Sequence, residues 1–178
     1  GGDLFAWADG LPPIRNGVVL AAIGPRPSLF SFEALGDPLA PWPPAAAEPK
    51  PYSHDTIIAL NEEAGDFADA NHACLAPAAV LAVPSIAYRL ALAAVGEADV
   101  TVSLTHGLDA YDIAGGHALL AAVGGTLVEL DGTPVRYAGG RTFGGCIGGR
   151  PELVDEVARR RPGPLPGGRG NRSGRHAA

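Results

Sequence analysis

Val18 to Ile23 is an unbroken apolar run between Asn16-Gly17 and Gly24-Pro25. That pattern predicts a buried strand, with Ser28 to Phe32 as its hairpin partner. Prolines crowd residues 36–51. Proline cannot donate to a strand ladder or sit inside a helix, so this stretch is expected to be an extended loop. Thr56 to Leu60 predicts a strand. Asn61 is placed to cap a short acidic helix running to about Ala73, and Ala79 to Val83 returns as a strand. Ser85 caps a second helix through Val95, where Ile86, Leu90 and Ala93 or Ala94 fall on one face and Gly96 provides the stop.

Asp99 to Leu104 alternates as a strand, and Thr105 to Tyr111 reads as a polar loop. A third helix is expected from Asp112 to Val123, stopped by Gly124-Gly125. Thr126 to Leu130, the turn Asp131-Gly132 and Val135 to Tyr137 form a hairpin. A strand near Thr142 to Ile147 leads to a last helix with Pro151 at its first position and Leu153, Val154 and Val157 inward. The glycine pairs at 139–140, 144–145 and 148–149 read as turns. Strands alternating with helices give an α/β fold class, a layered α+β sandwich. The expected organisation is one lobe over 1–158, followed by a disordered Arg/Gly/Pro tail over 159–178.

Charge narrows the partners. Of 13 basic residues, six follow residue 158, where none of the 19 acids lies. Residues 1–158 therefore carry 7 basic against 19 acidic side chains, a net −12. A body that acidic repels nucleic acid and suits a cation better. The Arg-rich tail, with Gly and Pro interleaved and no aromatic residue, reads as a solvated terminus. Cys74 and Cys146 match no metal spacing and predict small buried thiols in a reduced, cytoplasmic protein. No apolar run approaches the ~20 residues of a membrane span.

The segment with most chemistry runs from Gly107 to Leu120. Asp112 ends a loop and opens a helix whose first turns hold Gly115 and Gly116. A helix N-terminus suits an anion, the glycines clear a path to the backbone, and a carboxylate there suits a hard cation such as Mg²⁺. An ordinary N-cap is the competing reading of Asp112. His106 lies in the loop beside it, and His117 is one turn into the helix, where packing is the plainer role.

Tyr111-Asp112-Ile113-Ala114-Gly115-Gly116 resembles the second signature of the inositol monophosphatase superfamily of Mg²⁺-dependent, lithium-sensitive phosphatases, with Tyr in place of Trp. Pro84-Ser85-Ile86-Ala87-Tyr88-Arg89-Leu90 and Ala94-Val95-Gly96-Glu97-Ala98-Asp99 resemble the family's preceding helix, and Gly124 to Pro134 its Gly-Gly hairpin. The likeness runs in order from about residue 79 to 158, and more faintly from residue 16. It implies the carboxy-terminal lobe of the inositol monophosphatase and fructose-1,6-bisphosphatase fold. It also implies a Mg²⁺-dependent phosphomonoesterase of small phosphorylated metabolites: a sugar or inositol phosphate, or a 3′-phosphoadenosine nucleotide. In it, Asp112 would be a metal ligand. Gly115, Gly116, Thr105 and His106 would lie at the substrate end, while Ser85 and Arg89 would build the helix.

The family's other ligands come from Gly-Glu-Glu and Asp-Pro-(Ile/Leu)-Asp-Gly-Thr motifs, and neither occurs here. Asn61-Glu62-Glu63 reads as a solvated helix start and Leu130-Asp131-Gly132-Thr133 as a hairpin turn. The family's inositol enzymes carry a glutamate seven residues before the signature aspartate. Here Thr105 holds that place, which argues against inositol itself. The resemblance thus points to a fragment, inactive alone, whose partner is the missing amino-terminal lobe of the same polypeptide. It allows a homodimer and implies neither a membrane nor a nucleic acid. The alternative is a non-catalytic phosphatase-like module that binds a phosphorylated ligand or a protein partner.

Overall fold

The computed structural model describes residues 2–8, 12–20, 49–62, 68–137 and 140–160. Three short strands come first: β1 (Phe5–Ala6), β2 (Ile14–Arg15) and β3 (Val18–Val19), antiparallel in the order β1-β2-β3. Asn16 (φ 51°) and Gly17 (φ 85°) make the turn between β2 and β3. Two successive positive φ angles match the twist of a hairpin, which is why Asn-Gly sits there. The partner of Val18–Val19 is therefore Ile14–Arg15, and Ser28 to Phe32 lies outside the described residues, as do 21–23. The expectation of a buried strand is corrected as well. Val18 and Val19 are each more than two-fifths exposed, because β3 is an edge of a small sheet rather than a strand of the main one.

The main sheet has five strands in the order β5-β4-β6-β10-β8: β4 (Ile57–Leu60), β5 (Ala79–Ala82), β6 (Val100–Ser103), β8 (Thr126–Glu129) and β10 (Cys146–Gly149). β4 runs parallel to β5 and β6, whereas β10 is antiparallel to both β6 and β8. The parallel strands are joined by helices, α1 (Ala68–Leu75) and α2 (Ile86–Ala94), as such crossovers require. Beyond the sheet, β7 (Leu108–Asp109) pairs with β9 (Thr142–Phe143), and α3 (Ala110–Ala122) and α4 (Pro151–Arg160) complete the elements of the described residues.

Helices cover both faces. On one side, Leu90 of α2 and Ile113 and Leu120 of α3 are fully buried with Leu127 and Phe143. On the other, Leu75 of α1 and Leu153, Val154 and Val157 of α4 bury the Val100, Val102, Ile58 and Ile147 side of the sheet. This is the layered α/β sandwich that the pattern predicts. The last helix follows its apolar spacing closely, with Leu153, Val154 and Val157 all inward. It runs on through Arg159 and Arg160, where Arg160 lies over the Tyr52 ring, 4.2 Å from its centre. The remaining tail arginines are outside the described residues, as are 36–48 of the Pro-rich stretch.

Several boundaries differ from the sequence expectation. The first helix is Ala68–Leu75, and Asn61 instead closes β4, buried, with 63–67 outside the described residues. Thr105 to Tyr111 is not all loop, since Leu108–Asp109 pairs with Thr142–Phe143. The expected strand Thr142–Ile147 is two strands broken at Gly144-Gly145. Gly148-Gly149 is no turn: it lies inside β10, between β6 and β8. A Cβ on Gly148 would fall 2.8 Å from Leu127 Cδ1 and 2.9 Å from Leu90 Cδ2, so glycine there lets α2 approach the sheet. Cys146 is buried and Cys74 only half-buried; both are free.

Candidate functional site

The parallel strands fix where chemistry can be placed. In open α/β sheets, ligands bind beyond the carboxyl ends of the parallel strands. β6 ends at Ser103, directly opposite Cys146 at the start of β10. The β7–β9 pair lies just past this edge, and α3 starts from it. Gly107 fastens the intervening loop by donating its N–H to the Phe143 carbonyl at 3.0 Å. Thr105 and His106 are exposed on that loop, with His106 beside Gly144. Thr105, His106 and the start of α3 thus share one edge, though no described contact joins either loop residue to Asp112.

Asp109, not Asp112, is the N-cap of α3, so the helix begins two residues earlier than its glycine pattern suggested. Asp112 sits in the third helical position. Its Oδ2 accepts the Asp109 N–H at 2.9 Å, and the Asp109 carboxylate faces the Asp112 N–H in return, a reciprocal capping box. The Ala110 and Tyr111 N–H groups stand in the first turn, where no carbonyl four residues back within the helix accepts them. The signal was present in the sequence as Asp109-Ala110-Tyr111-Asp112, an acid three residues before an acid. The Tyr111 hydroxyl donates to Asp109 Oδ2 at 2.7 Å, and that bond holds the phenol above its ordinary range. Asp112 is therefore held through one oxygen, Oδ2.

The two glycines part company. Gly115 is exposed with open space beside it, whereas a Cβ on Gly116 would lie 2.6 Å from Leu90 Cβ. Gly116 is thus the point where α3 closes on α2. Both N–H groups lie beyond the first turn and are spent on helical bonds, so neither is offered to a ligand. Ser85 and Arg89 do build their helix. Ser85 Oγ accepts the Tyr88 N–H at 3.3 Å. Arg89, 1% exposed, donates to the Val83 and Pro84 carbonyls at the end of β5.

Other candidates resolve into structure. Asp131 Oδ1 accepts the Thr133 N–H at 2.9 Å and its hydroxyl at 2.7 Å, closing the hairpin turn at Gly132. His54 faces Asp55 on the surface at 3.3 Å. Burial pushes the Cys146 thiol up to about 12, which leaves it protonated and unreactive at neutral pH.

His117 is half-buried, with Nδ1 2.9 Å from the Tyr137 hydroxyl, and burial lowers its pKa. A lowered pKa means that the fold prefers neutral imidazole. Its contribution is complete above the ordinary imidazole range and is lost as pH falls through and below it. The thermal midpoint of the wild type is expected to drop between about pH 7 and about pH 5 more than that of His117→Gln. Parallel curves would show that His117 does not titrate with unfolding.

Among the described residues, no three His, Cys, Asp or Glu side chains gather closely enough to hold a metal ion. The residues fit one shared ligand to a divalent cation, not a complete two-metal site. No described helix is long and apolar enough to cross a membrane.

Comparison with solved structures finds the same fold in longer chains. An inositol monophosphatase from Anabaena (Nostoc) sp. PCC 7120 matches with a TM-score of 0.59 at 19% identity, over 89% of this chain and 53% of that one. Inositol monophosphatase-II from Staphylococcus aureus MSSA476 matches with a TM-score of 0.62 at 17% identity, over 88% and 49%. The extragenic suppressor protein suhB from Bartonella henselae matches with a TM-score of 0.59 at 15% identity, over 89% and 53%. The chain thus spans about half the length of these structures. No curated protein sequence matches it. The model of the inositol monophosphatase family matches residues 52–159, more than half of the chain. That match takes in the strand edge, the capped α3 and the hairpin behind it, and by it the chain belongs to the inositol monophosphatase family.

Proposed function

We propose that this chain is one part of a Mg²⁺-dependent phosphomonoesterase of small phosphorylated metabolites and contributes Asp112 as a cation ligand. The observation that carries this is the start of α3. A carboxylate fixed through one oxygen stands at the carboxyl edge of parallel strands, inside the family-matched segment. Divalent cations bound there would activate the attacking water and stabilise the leaving oxygen. The chain's own tasks are simpler. The capping box holds Asp112 in one rotamer, and the helix start favours the phosphate anion through the Ala110 and Tyr111 N–H groups. Thr105 and His106, exposed at the same edge, are placed to meet the substrate's remaining part.

A staphylococcal inositol monophosphatase-II has been solved with inositol monophosphate and with 2′AMP. Both are phosphomonoesters of a ring alcohol, and that is the substrate class we assign. One observation favours the second reading, a non-catalytic module that binds a phosphorylated ligand. It is the lack of a complete ligand set among the described residues.

Phosphate release separates these roles. The chain alone is expected to release no phosphate from inositol phosphate or a 2′- or 3′-nucleotide with Mg²⁺, since the residues described supply too few ligands. Joined to a unit that supplies the missing carboxylates, it should hydrolyse one of these esters and lose that activity in Asp112→Asn. Magnesium-dependent release by the chain alone would refute the shared site. An Asp112→Asn assembly as active as the wild type would remove Asp112 from it.

A further inference from the structure

Asn16-Gly17 is the single Asn-Gly pair in the sequence, and it forms the exposed turn between β2 and β3. Such a pair carries its own chemistry. The Gly17 backbone nitrogen attacks the side-chain carbonyl carbon of Asn16, since glycine has no Cβ to crowd the approach. The bond from that carbon to the side-chain nitrogen breaks, ammonia leaves, and a five-membered succinimide closes. Water then opens the ring to aspartate or to an isoaspartyl link through the side chain. The reaction needs only water and a free approach. Apart from chain neighbours, no atom lies within 4 Å of where a Cβ of Gly17 would sit.

The fold restrains this chemistry from the opposite side of the turn. Asn16 Oδ1 accepts the Leu4 N–H at 2.8 Å, and Nδ2 donates to Asp3 Oδ1 at 2.9 Å. The Asn16 N–H donates to the Leu4 carbonyl at 2.8 Å, so backbone and side chain are both tied to the start of β1. Cyclisation needs the carboxamide carbon turned onto the next backbone nitrogen in a near-attack geometry. Both side-chain bonds must break first. We propose that Asn16 is a deamidation site under the control of the small sheet: the contacts to Leu4 and Asp3 suppress the reaction, and opening of β1 from β2 releases it.

Neither product fits the place that Asn16 leaves. Asp3 accepts from Arg15 Nη2 at 2.6 Å as well as from Asn16, and these bonds hold its carboxyl below the ordinary range. An aspartate at 16 therefore sets a second carboxylate against an ionised one, where Nδ2 had donated. An isoaspartyl link instead adds a methylene to the backbone of a turn whose two positive φ angles fit a tight hairpin. Arg15 is the bridge at risk, because it joins Asp3 to Glu97 at the end of α2. The modification runs one way: each conversion leaves a chain whose small sheet is less firmly held to the body.

Peptide mass spectrometry of the chain held in mildly alkaline buffer tests this, with aspartyl and isoaspartyl products separated by chromatography. Asn16 should convert roughly tenfold faster in guanidinium chloride than in native buffer, a ratio set by how rarely the sheet opens. Asp3→Ala removes the acceptor of Nδ2. It should speed the native reaction several-fold and leave the rate in denaturant unchanged. Chain converted in native buffer can be isolated by its added negative charge. Its amides at 4–6 and 14–19 should exchange hydrogen roughly tenfold faster than in the unmodified chain, with those of α3 unaffected. Equal rates in native buffer and in denaturant would overturn the proposal, and so would an Asp3→Ala chain that converts no faster than the wild type. An Asn16 that persists in denaturant would remove the site altogether. Unchanged exchange in the converted chain would overturn its effect on the sheet.

Discussion

Replacing Gly116 by valine is expected to destabilise the chain by about 3 kcal/mol, at the upper end of the usual cost of overpacking. The reason is the approach of α3 to α2. A Cβ at 116 would lie 2.6 Å from Leu90 Cβ and 2.8 Å from Leu90 Cδ1, and Leu90 is itself fully buried against the sheet. Leu90 cannot yield, because its other methyl faces Gly148 in β10. The helices must therefore separate, opening the core shared by Ile113, Leu120 and Phe143. Urea unfolding checks this. Gly115→Val is the control: its site is open, so it should cost only the difference in helix propensity, under ~1 kcal/mol and of either sign. Equal effects at the two glycines would remove the packing argument.

Arg89→Met is expected to cost about 3 kcal/mol by a different route. The guanidinium is 1% exposed and holds the Val83 and Pro84 carbonyls where β5 turns into α2. Methionine keeps most of the volume but leaves the buried Val83 carbonyl without its donor, at about 1–3 kcal/mol, and removes the part-buried bond to Pro84 as well. Arg89→Lys should recover part of the loss, since a single nitrogen, Nη1, makes both bonds and an ammonium brings its own donors on a shorter, differently aimed stem. A methionine variant as stable as the wild type would show that water serves these carbonyls equally well.

Both residues explain what the sequence conveyed and what it withheld. The amphipathic spacing of α4 and the Ser85 cap of α2 were legible because each is decided within a few residues. The family likeness was legible in the same local sense, as short motifs in order. The packing role of Gly116 was not, because Leu90 lies on another helix and helical spacing says nothing of how closely two helices approach. Gly148-Gly149 misled for the same reason: paired glycines signal turns, yet here they thin the middle of a sheet. The start of α3 was misplaced by reading the glycines after Asp112 instead of the acid before it. Asp109-Ala110-Tyr111-Asp112 closes its own capping box, and that sets the first turn of the helix at Ala110 to Asp112 instead of after Asp112.

The proposed cation site depends on Asp112 Oδ1 at the start of α3. Amide relaxation during titration of the isolated chain with Mn²⁺ measures this directly, because a paramagnetic ion broadens only nearby signals. Weak binding, with a dissociation constant of about 1 mM, is expected from so few ligands. The amides of Ala110 to Ile113 should broaden first, and Asp112→Asn should abolish the effect while preserving the fold. Uniform broadening across the acidic surface, or unchanged broadening in Asp112→Asn, would contradict the claim.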